Sequence, residues 1–218
     1  MPLFPLATPV LFPGGVVPLH VFEPRYRQLT RDVLAGARAI GMATVRPEHL
    51  GAMSGSPPLY AVGCAGVVHQ SRRLADGRYH VVLRGSHRFR IREELPPENG
   101  RLYRIARVEV LEERLEDTAR AEALRRRVIA HLEALAERAS RQDPERTVRF
   151  DPGGLVGLDP ASFVNTVSQA LGLPAEEKQG LLEADGILER LERLEDALAF
   201  HLAAADDDAV GGGPHTLH

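Results

Sequence analysis

The fold is set by two neighbouring stretches near the start of the chain, VLFPGG at residues 10–15 and VPLHVFEPRY at residues 17–26. Short apolar runs alternate here with prolines and with a Gly-Gly pair. Proline lacks an N–H donor and is excluded from helix interiors and from central strands. The stretches therefore predict short edge strands joined by turns. Glu23-Pro24 then predicts the start of a helix, because proline suits the first helical position.

Composition limits the class of protein to which the chain can belong. Its 218 residues are 44% hydrophobic and carry a net charge of −3, which fits one large or two small globular domains and argues against a nucleic-acid partner. The one cysteine, Cys64, allows no internal disulfide and lies in an apolar strand, so we expect a buried small residue. There is no signal-peptide pattern and no apolar run of about 20 residues, so we expect a cytoplasmic protein without a membrane partner.

The first half of the sequence is rich in strand patterns. Residues 39–45 form a short apolar run, and residues 60–74 and 79–83 read as two strands with Asp76-Gly77 between them. Asp-Gly at such a place is a strong hairpin signal and predicts a type I′ turn, which needs positive φ at both residues. Residues 102–111 predict a further strand. We place a β subdomain at residues 1–115.

The second half is helical. Apolar residues recur at helical spacing over residues 121–139, and again over residues 187–202, where Glu189 and Arg193 are placed for an i,i+4 ion pair. A loop is predicted at residues 140–154. Asp159-Pro160 predicts a capped helix start. Gly172 predicts a left-handed cap at the end of that helix, before Pro174 starts the next.

These patterns give a helical subdomain at residues 117–205. The Asp run at residues 206–208 and the glycines after it predict the end of the last helix and a disordered tail over residues 206–218. The two apolar helical stripes could support a weak coiled-coil dimer. Packing within one bundle is favoured, because each stripe is only about three heptads long. The sequence leaves monomer and weak dimer open.

Three blocks carry a resemblance to a known family: the opening stretches; VG, LADG and VLRGSHRFRI within residues 62–91; and EEKQ with RL within residues 176–191. Together they resemble the substrate-binding domain at the N-terminus of Lon proteases (peptidase family S16). The resemblance implies an α+β fold, a PUA-like β pseudo-barrel followed by a helical part. The positions that match the family motifs, mainly in structural roles, are Pro5, Leu6, Pro13, Pro18, Leu19, Arg25, Tyr26, Gly63, Asp76, Gly77, Gly85, Arg88, Lys178 and Gln179.

The chain departs from Lon where catalysis is concerned. It contains no G-x-x-x-x-G-K-[ST] phosphate-binding loop. A Ser-Lys dyad needs a lysine beside the nucleophile, and the sole lysine, Lys178, lies in the helical KQ motif. We therefore expect a protein that is not an enzyme and has no cofactor; a peptidase label would be inherited from Lon. The nine histidines show no zinc-binding spacing, so no metal site is expected.

Two surfaces are candidates for binding. The loop at residues 47–58 predicts a mobile polypeptide-binding site, with Met53 at its centre and Leu59 and Tyr60 at its exit. Arg88, Arg90 and Arg92 alternate with apolar residues and could form a basic strip, although a solvated strand face is favoured. A groove of apolar residues from the opening stretches is a further possibility, but these residues more simply form core, and Arg25 more simply forms a structural ion pair.

The sequence thus predicts a non-enzymatic, bacterial Lon-type substrate-binding domain. It would recognise exposed or unfolded polypeptide, with delivery to a separate protease or chaperone as a candidate role. One alternative is a PUA-like RNA-binding module. Another is a small hydrolase whose site the sequence does not reveal. A concave apolar groove would favour the substrate-binding domain, and a contiguous basic strip would favour the RNA-binding module. A deep pocket with converging His and carboxylate groups would favour the hydrolase.

Overall fold

Six strands lie in one sheet, and the helices follow mainly in the second half of the chain. The computed structural model describes residues 1–53, 55–96, 98, 100–142 and 152–211. The strands are β1 (Leu3–Leu6), β2 (Val16–Val21), β3 (Ala39–Thr44), β4 (Val62–Arg73), β5 (Tyr79–Leu95) and β6 (Ile105–Val110). The helices are α1 (Pro24–Leu34), a 3₁₀ helix (Pro47–Ala52), α2 (Thr118–Gln142), α3 (Gly153–Val156), α4 (Pro160–Ala170), α5 (Ala175–Glu183) and α6 (Gly186–Gly211). The predicted α+β class is confirmed.

The sheet curves round until its first and last strands meet. Its order is β1-β3-β4-β5-β2, with β6 also on β5. The Leu3 N–H donates to the Arg104 carbonyl (2.9 Å) and the Ala106 N–H to the Met1 carbonyl (3.0 Å), so the start of β1 joins β6. The edge position predicted for the opening strands holds for β2, which pairs only with β5 and tolerates Pro18. The beginning of β1 has neighbours on both sides.

The central hairpin lies at Asp76-Gly77 as predicted, since Arg73 pairs with Tyr79 across it. The predicted turn type is wrong. Gly77 has φ +80°, but among the described non-glycine residues only Arg38 has positive φ. The Gly77 N–H donates to the Leu74 carbonyl (3.0 Å), so a turn over Leu74–Gly77 ends in a left-handed glycine. The Asp76 carboxylate accepts hydrogen bonds from Arg78 N–H and Nε, which holds the three-residue loop.

We expect Gly77→Val to destabilise the protein by about 1–3 kcal/mol. The backbone there is left-handed, and an added Cβ would lie 2.2 Å from Arg27 Nη2. The measurement is the urea unfolding midpoint. Gly51→Val is the control, because a Cβ at Gly51 meets nothing within 4 Å and the φ there is not positive. Equal midpoints for the two variants would contradict the role of Gly77.

The chain forms two compact units. The first contains residues 1–113 and 165–183, and the second contains the described residues of 114–164 and of the chain from Ala184 onward. Residues 165–183 therefore belong with the sheet, although the sequence places them in a continuous helical subdomain at 117–205. In the interior of the first unit, the buried residues Leu3, Ala65, Phe89 and Ala106 form a cluster. Cys64 is fully buried, as predicted.

In the second unit, α2 packs against α6. The predicted apolar stripes form the contact, because Leu124, Val128, Leu191 and Leu194 are all buried. Glu189 and Arg193 form the predicted ion pair (2.6 Å). The two apolar stripes thus pack against each other within one chain, as the prediction of a helical bundle requires.

Two predicted helix ends are wrong. The helix α4 stops at Ala170, and Gly172 does not have the positive φ of a left-handed cap. The last helix continues beyond Asp206 to Gly211. Aspartate is only a moderately poor helix former, and three alanines at 203–205 carry the helix into the Asp run. The remainder of the predicted tail, residues 212–218, lies outside the described residues.

Asp159 caps α4 as predicted. Its Oδ1 accepts hydrogen bonds from the N–H groups of Ala161 and Ser162, both at 3.0 Å. The hydrogen bond of the Ser162 side chain, followed by these backbone bonds, lowers the pKa of Asp159. A lowered carboxyl pKa stabilises the folded state at pH values above the unfolded pKa of about 3.9, and the contribution is lost as the pH falls through the lower folded value.

Asp159→Ala should therefore cost about 1 kcal/mol of stability at pH 7. The difference from the wild type should shrink as the pH falls below about 4, because the protonated cap binds the N–H groups less well. Urea titrations at pH 7 and pH 3 measure both effects. Asp196→Ala, an exposed change within α6, is the control. A difference that does not depend on pH would contradict the assignment of the cap.

Candidate functional site

A cleft of about 230 Å³ opens in the first unit beside the start of α1. Three separate parts of the chain supply its walls: β1, the first turn of α1, and the segment at residues 102–104, with the main chain at residues 55–56 closing one side. The residues that shape it are Pro5, Arg25, Tyr26, Leu102, Tyr103 and Arg104. The lining thus combines a proline, two tyrosines and a leucine with two arginines.

Tyr26 forms the floor of the cleft. It lies on the buried stripe of α1 with Leu29 and Val33, at the spacing of one helix face. Its ring stacks on Phe4 with 4.1 Å between the centroids. Its hydroxyl lies 3.5 Å from the Pro5 carbonyl oxygen. The Arg25 guanidinium lies over the ring, 4.6 Å from its centroid, so Tyr26 is almost completely covered. Burial raises the pKa of Tyr26, and the phenol stays neutral.

Two arginines hold the loop that borders the cleft. Arg25 donates from Nη1 to the Gly55 carbonyl (2.9 Å), from Nη2 to the Met53 carbonyl, and from Nε to Glu23 (2.9 Å). Arg104 donates from Nη1 to the Pro57 carbonyl (2.7 Å) and from Nε to Glu94 (2.6 Å). Arg25 thus forms the predicted structural ion pair and also fixes main-chain carbonyls. Hydrogen bonds from a charged donor are stronger than neutral ones, so this wall of the cleft is preformed.

The opposite wall is fixed to α1. The Gln28 side chain donates to the Gly100 carbonyl (2.6 Å) and accepts from the Leu102 N–H (2.7 Å). The Tyr103 hydroxyl donates to Asp32 (3.1 Å), and burial followed by this carboxylate raises the pKa of Tyr103. With its backbone held in this way, Leu102 keeps 59% of its surface exposed at the rim. Leu102 is therefore an exposed apolar side chain on a fixed backbone.

The three predicted loop residues have different surroundings. Residues 47–52 form the 3₁₀ helix, and Met53 is half-buried and contributes its carbonyl to Arg25. Leu59 packs against the core cluster. Tyr60 is half-buried with Arg46 over its ring (5.5 Å), and its pKa is raised by burial and then by Glu176. A binding role for Met53, Leu59 and Tyr60 stays a prediction.

Leu102 and Tyr103 are residues that the sequence interpretation missed. It placed residues 102–104 in a strand, but β6 begins only at Ile105. The sequence contains one signal against a strand at residues 102–104. Gly100 interrupts the apolar pattern two residues before the pair Leu102-Tyr103, which is flanked by arginines. In the structure Gly100 has a φ of +79°.

The predicted basic strip does not form. Arg88 is 1% exposed; it donates to Glu113 (2.9 Å) and to the Leu182 carbonyl (2.8 Å) in α5. Arg92 is exposed and paired with Glu109, and Arg90 is half-buried. The alternation of arginines with apolar residues predicts that all three arginines lie on a solvated face of the strand, but α5 covers the strand at Arg88. The strand also bulges near residue 86, where the pairing shifts between Ala65 and Gly66.

The KQ motif has a structural role. Lys178 donates to the Gln169 carbonyl (2.9 Å), and burial lowers its pKa. Gln179 is buried and donates to the Val62 carbonyl (3.0 Å). Gln169, which the sequence interpretation missed, accepts from the Phe12 N–H (2.9 Å). These bonds join α4 and α5 to the sheet and to the opening stretch.

Of the motif positions, Pro5, Arg25 and Tyr26 line the cleft, and the remaining ones lie outside it. Gly63 and Gly85 are buried in the sheet, Leu6, Pro13 and Leu19 are half-buried, and Pro18 is exposed on β2. Their placement fits packing and turn roles. Among the described residues there is no group of three His, Cys, Asp or Glu side chains arranged to hold a metal ion. None of the described helices has the length and apolar character needed to cross a membrane.

Comparison with known proteins gives a consistent result. Residues 1–199 match the family model described as the ATP-dependent protease La (LON) substrate-binding domain. The Lon protease of Trichlorobacter lovleyi is 30% identical over 203 residues, which are 91% of this chain and 24% of that protein. Lon protease 1 of Syntrophobacter fumaroxidans is 31% identical over 201 residues, 89% of this chain and 23% of that protein. The chain thus spans about a quarter of the length of these relatives.

Solved structures support the fold. The N-terminal domain of the Mycobacterium avium complex Lon protease aligns with a TM-score of 0.68 and 22% identity, covering 92% of this chain and 98% of that one. A Lon N-terminal domain protein from Xanthomonas campestris aligns with a TM-score of 0.57 and 24% identity, covering 89% of this chain and 95% of that one. At these identities the likeness concerns the fold alone.

Proposed function

Because the chain belongs to the family of Lon substrate-binding domains, we propose that it binds exposed or unfolded polypeptide, and that the cleft beside α1 is where it does so. The observation that carries the assignment to this cleft is Leu102, exposed on a fixed backbone at its rim. An apolar side chain of a partner would pack against Leu102. Burial of such a contact removes apolar surface from water on both sides.

The walls of the cleft support an extended ligand. Arg25 and Arg104 are already engaged with carbonyl groups and carboxylates, so the cleft offers little free charge, and its apolar contact is concentrated at Leu102. Since the walls are held by hydrogen bonds, little protein ordering opposes binding. An unfolded ligand still loses its own conformational freedom, so the affinity for one segment should be modest and should depend on a few apolar anchors.

The match ends with the substrate-binding domain, which leaves the ATPase and peptidase parts of Lon without a counterpart in residues 1–199. We propose that the protein binds polypeptide without chemical turnover and passes it to a separate protease or chaperone. The support for this proposal is the family match itself, which is to a substrate-binding domain over residues 1–199.

The test is binding of a fluorescein-labelled peptide that has a central Leu-Phe-Val-Leu segment and uncharged polar flanks. Leu102→Asp should weaken binding about fivefold or more, because a charge would replace an apolar anchor. Val110→Asp is the matched control, since Val110 on β6 is similarly exposed (54%) and does not line the cleft. Both variants should keep the wild-type melting temperature within a few degrees. Unchanged affinity in Leu102→Asp would remove this cleft from the site.

A further inference from the structure

A second cleft, of about 350 Å³, shares Leu102 with the first. Its walls come from α1, from the segment around Leu102, and from the hairpin between β4 and β5. The residues that determine its character are Arg27, Gln28, Arg31, Arg73, Tyr79 and Leu102. Arg27 and Arg31 are one helical turn apart on α1, and Arg73 is the last residue of β4. Three arginines therefore line one cleft whose lining contains no carboxylate.

Little of this positive charge is neutralised. In the part of the chain that the structure describes, neither Arg27 nor Arg73 forms an ion pair. Arg31 meets Asp32 at 3.2 Å, but the Arg31 side chain is 65% exposed, and pairs open to solvent are weak. Asp32 also accepts the Tyr103 hydroxyl. The acidic residue of the hairpin, Asp76, forms its ion pair with Arg78 and interacts electrostatically with Arg27 as well.

The chemistry of the cleft favours carboxylates. A guanidinium group presents a planar fork of donors that matches a carboxylate with two parallel hydrogen bonds. The protein as a whole carries a net charge of −3, so the positive cleft is a local feature and does not follow from bulk composition. Leu102 continues the apolar surface of the first cleft into the second.

Features of the cleft argue for polypeptide rather than RNA. Single-stranded RNA binding relies on exposed aromatic faces on which bases stack. The aromatic residue in this lining is Tyr79, which is buried. Arg88, which the sequence placed in a basic strip, is also buried and does not extend the positive surface.

We infer that the basic cleft of Arg27, Arg31 and Arg73 binds acidic side chains of a polypeptide whose apolar segment lies against Leu102. The ligand class is therefore an apolar segment flanked by Asp or Glu. This inference rests on the proposed function and refines it, because it assigns a sequence preference to the bound polypeptide.

The experiment uses the full chain and three peptides with the same Leu-Phe-Val-Leu segment and with Asp/Glu, Asn/Gln or Lys flanks. Fluorescence anisotropy should show the acidic peptide binding about fivefold tighter than the neutral one, and the Lys peptide binding weakest. Salt should reduce the preference, because the cleft is open to solvent. In Arg27→Gln/Arg73→Gln the acidic peptide should bind no better than the neutral one.

The matched control is Arg107→Gln/Arg141→Gln, which removes two exposed, paired arginines outside both clefts and should keep the preference. Equal wild-type affinity for acidic and neutral peptides would overturn the inference and leave the proposed function standing. Failure of the wild type to bind all three would overturn the proposed function as well. A preference that survives in Arg27→Gln/Arg73→Gln would overturn the assignment to this cleft. An oligouridylate that binds more tightly than the acidic peptide, and loses affinity in that variant, would overturn the inference in favour of RNA.

Discussion

Arg88→Ala should destabilise the protein by about 3–5 kcal/mol, since it deletes a buried, doubly bonded cation. The guanidinium donates to Glu113 (2.9 Å) and to the Leu182 carbonyl (2.8 Å) and is almost completely shielded from water. Removal leaves the Leu182 carbonyl without this donor and opens a cavity between β5 and α5. Urea unfolding followed by circular dichroism measures the loss.

Arg92→Ala is the matched control on the same strand. Arg92 lies four residues further along β5 and is paired with Glu109 at the surface. An exposed ion pair contributes about 0–1 kcal/mol, so the midpoint should change little. The sequence gives both arginines the same alternating pattern. A comparable loss of stability in the two variants would therefore contradict the stabilising role assigned to the buried contacts of Arg88.

Gly85→Ala should cost about 3 kcal/mol or more, although alanine is the smallest possible addition. A Cβ at Gly85 would lie 2.0 Å from the Phe12 carbonyl oxygen, a backbone atom that cannot rotate away. The neighbouring backbone is already bonded on both sides, from Gly14 N–H to the Gly85 carbonyl (2.9 Å) and from Gly85 N–H to the Gly15 carbonyl (2.8 Å). To make room, the opening stretch would have to leave β5.

Gly51→Ala is the control for this change, since a Cβ there meets nothing within 4 Å. It should be neutral or slightly stabilising, because alanine restricts the unfolded chain. Thermal melting of the two variants in parallel gives the comparison. A Gly85→Ala protein that melts with the wild type would show that the opening stretch is not seated on β5 as described.

Local chemistry in the sequence determined the elements of this protein. Glu23-Pro24 starts α1 because proline suits the first helical position. Asp76-Gly77 places the hairpin, although its turn type also depends on the bonds between Asp76 and Arg78. Asp159 caps α4, and the apolar stripes of α2 and α6 bury themselves against each other. In each case the signal lies within a few residues, where propensity and periodicity act.

The same local signals also explain the family resemblance. Pro18, Gly77 and Gly85 are needed where an edge strand, a turn or a close approach limits the side chain. Such residues report backbone geometry, so they identify the fold reliably. Some motif positions also line the clefts, namely Pro5, Arg25 and Tyr26 in the first and Gly77 in the second, but the motif does not include Leu102.

Only the tertiary structure decided which surfaces are covered and which are left open. Arg88 and Arg92 look alike in sequence, but α5, some 90 residues away along the chain, supplies a carbonyl to the first and nothing to the second. Leu102 looks like a strand residue until Gln28 of α1 fixes its backbone and leaves its side chain exposed. Periodicity tells which residues share a face of an element. What packs on that face depends on distant parts of the chain, so both clefts were absent from any local pattern.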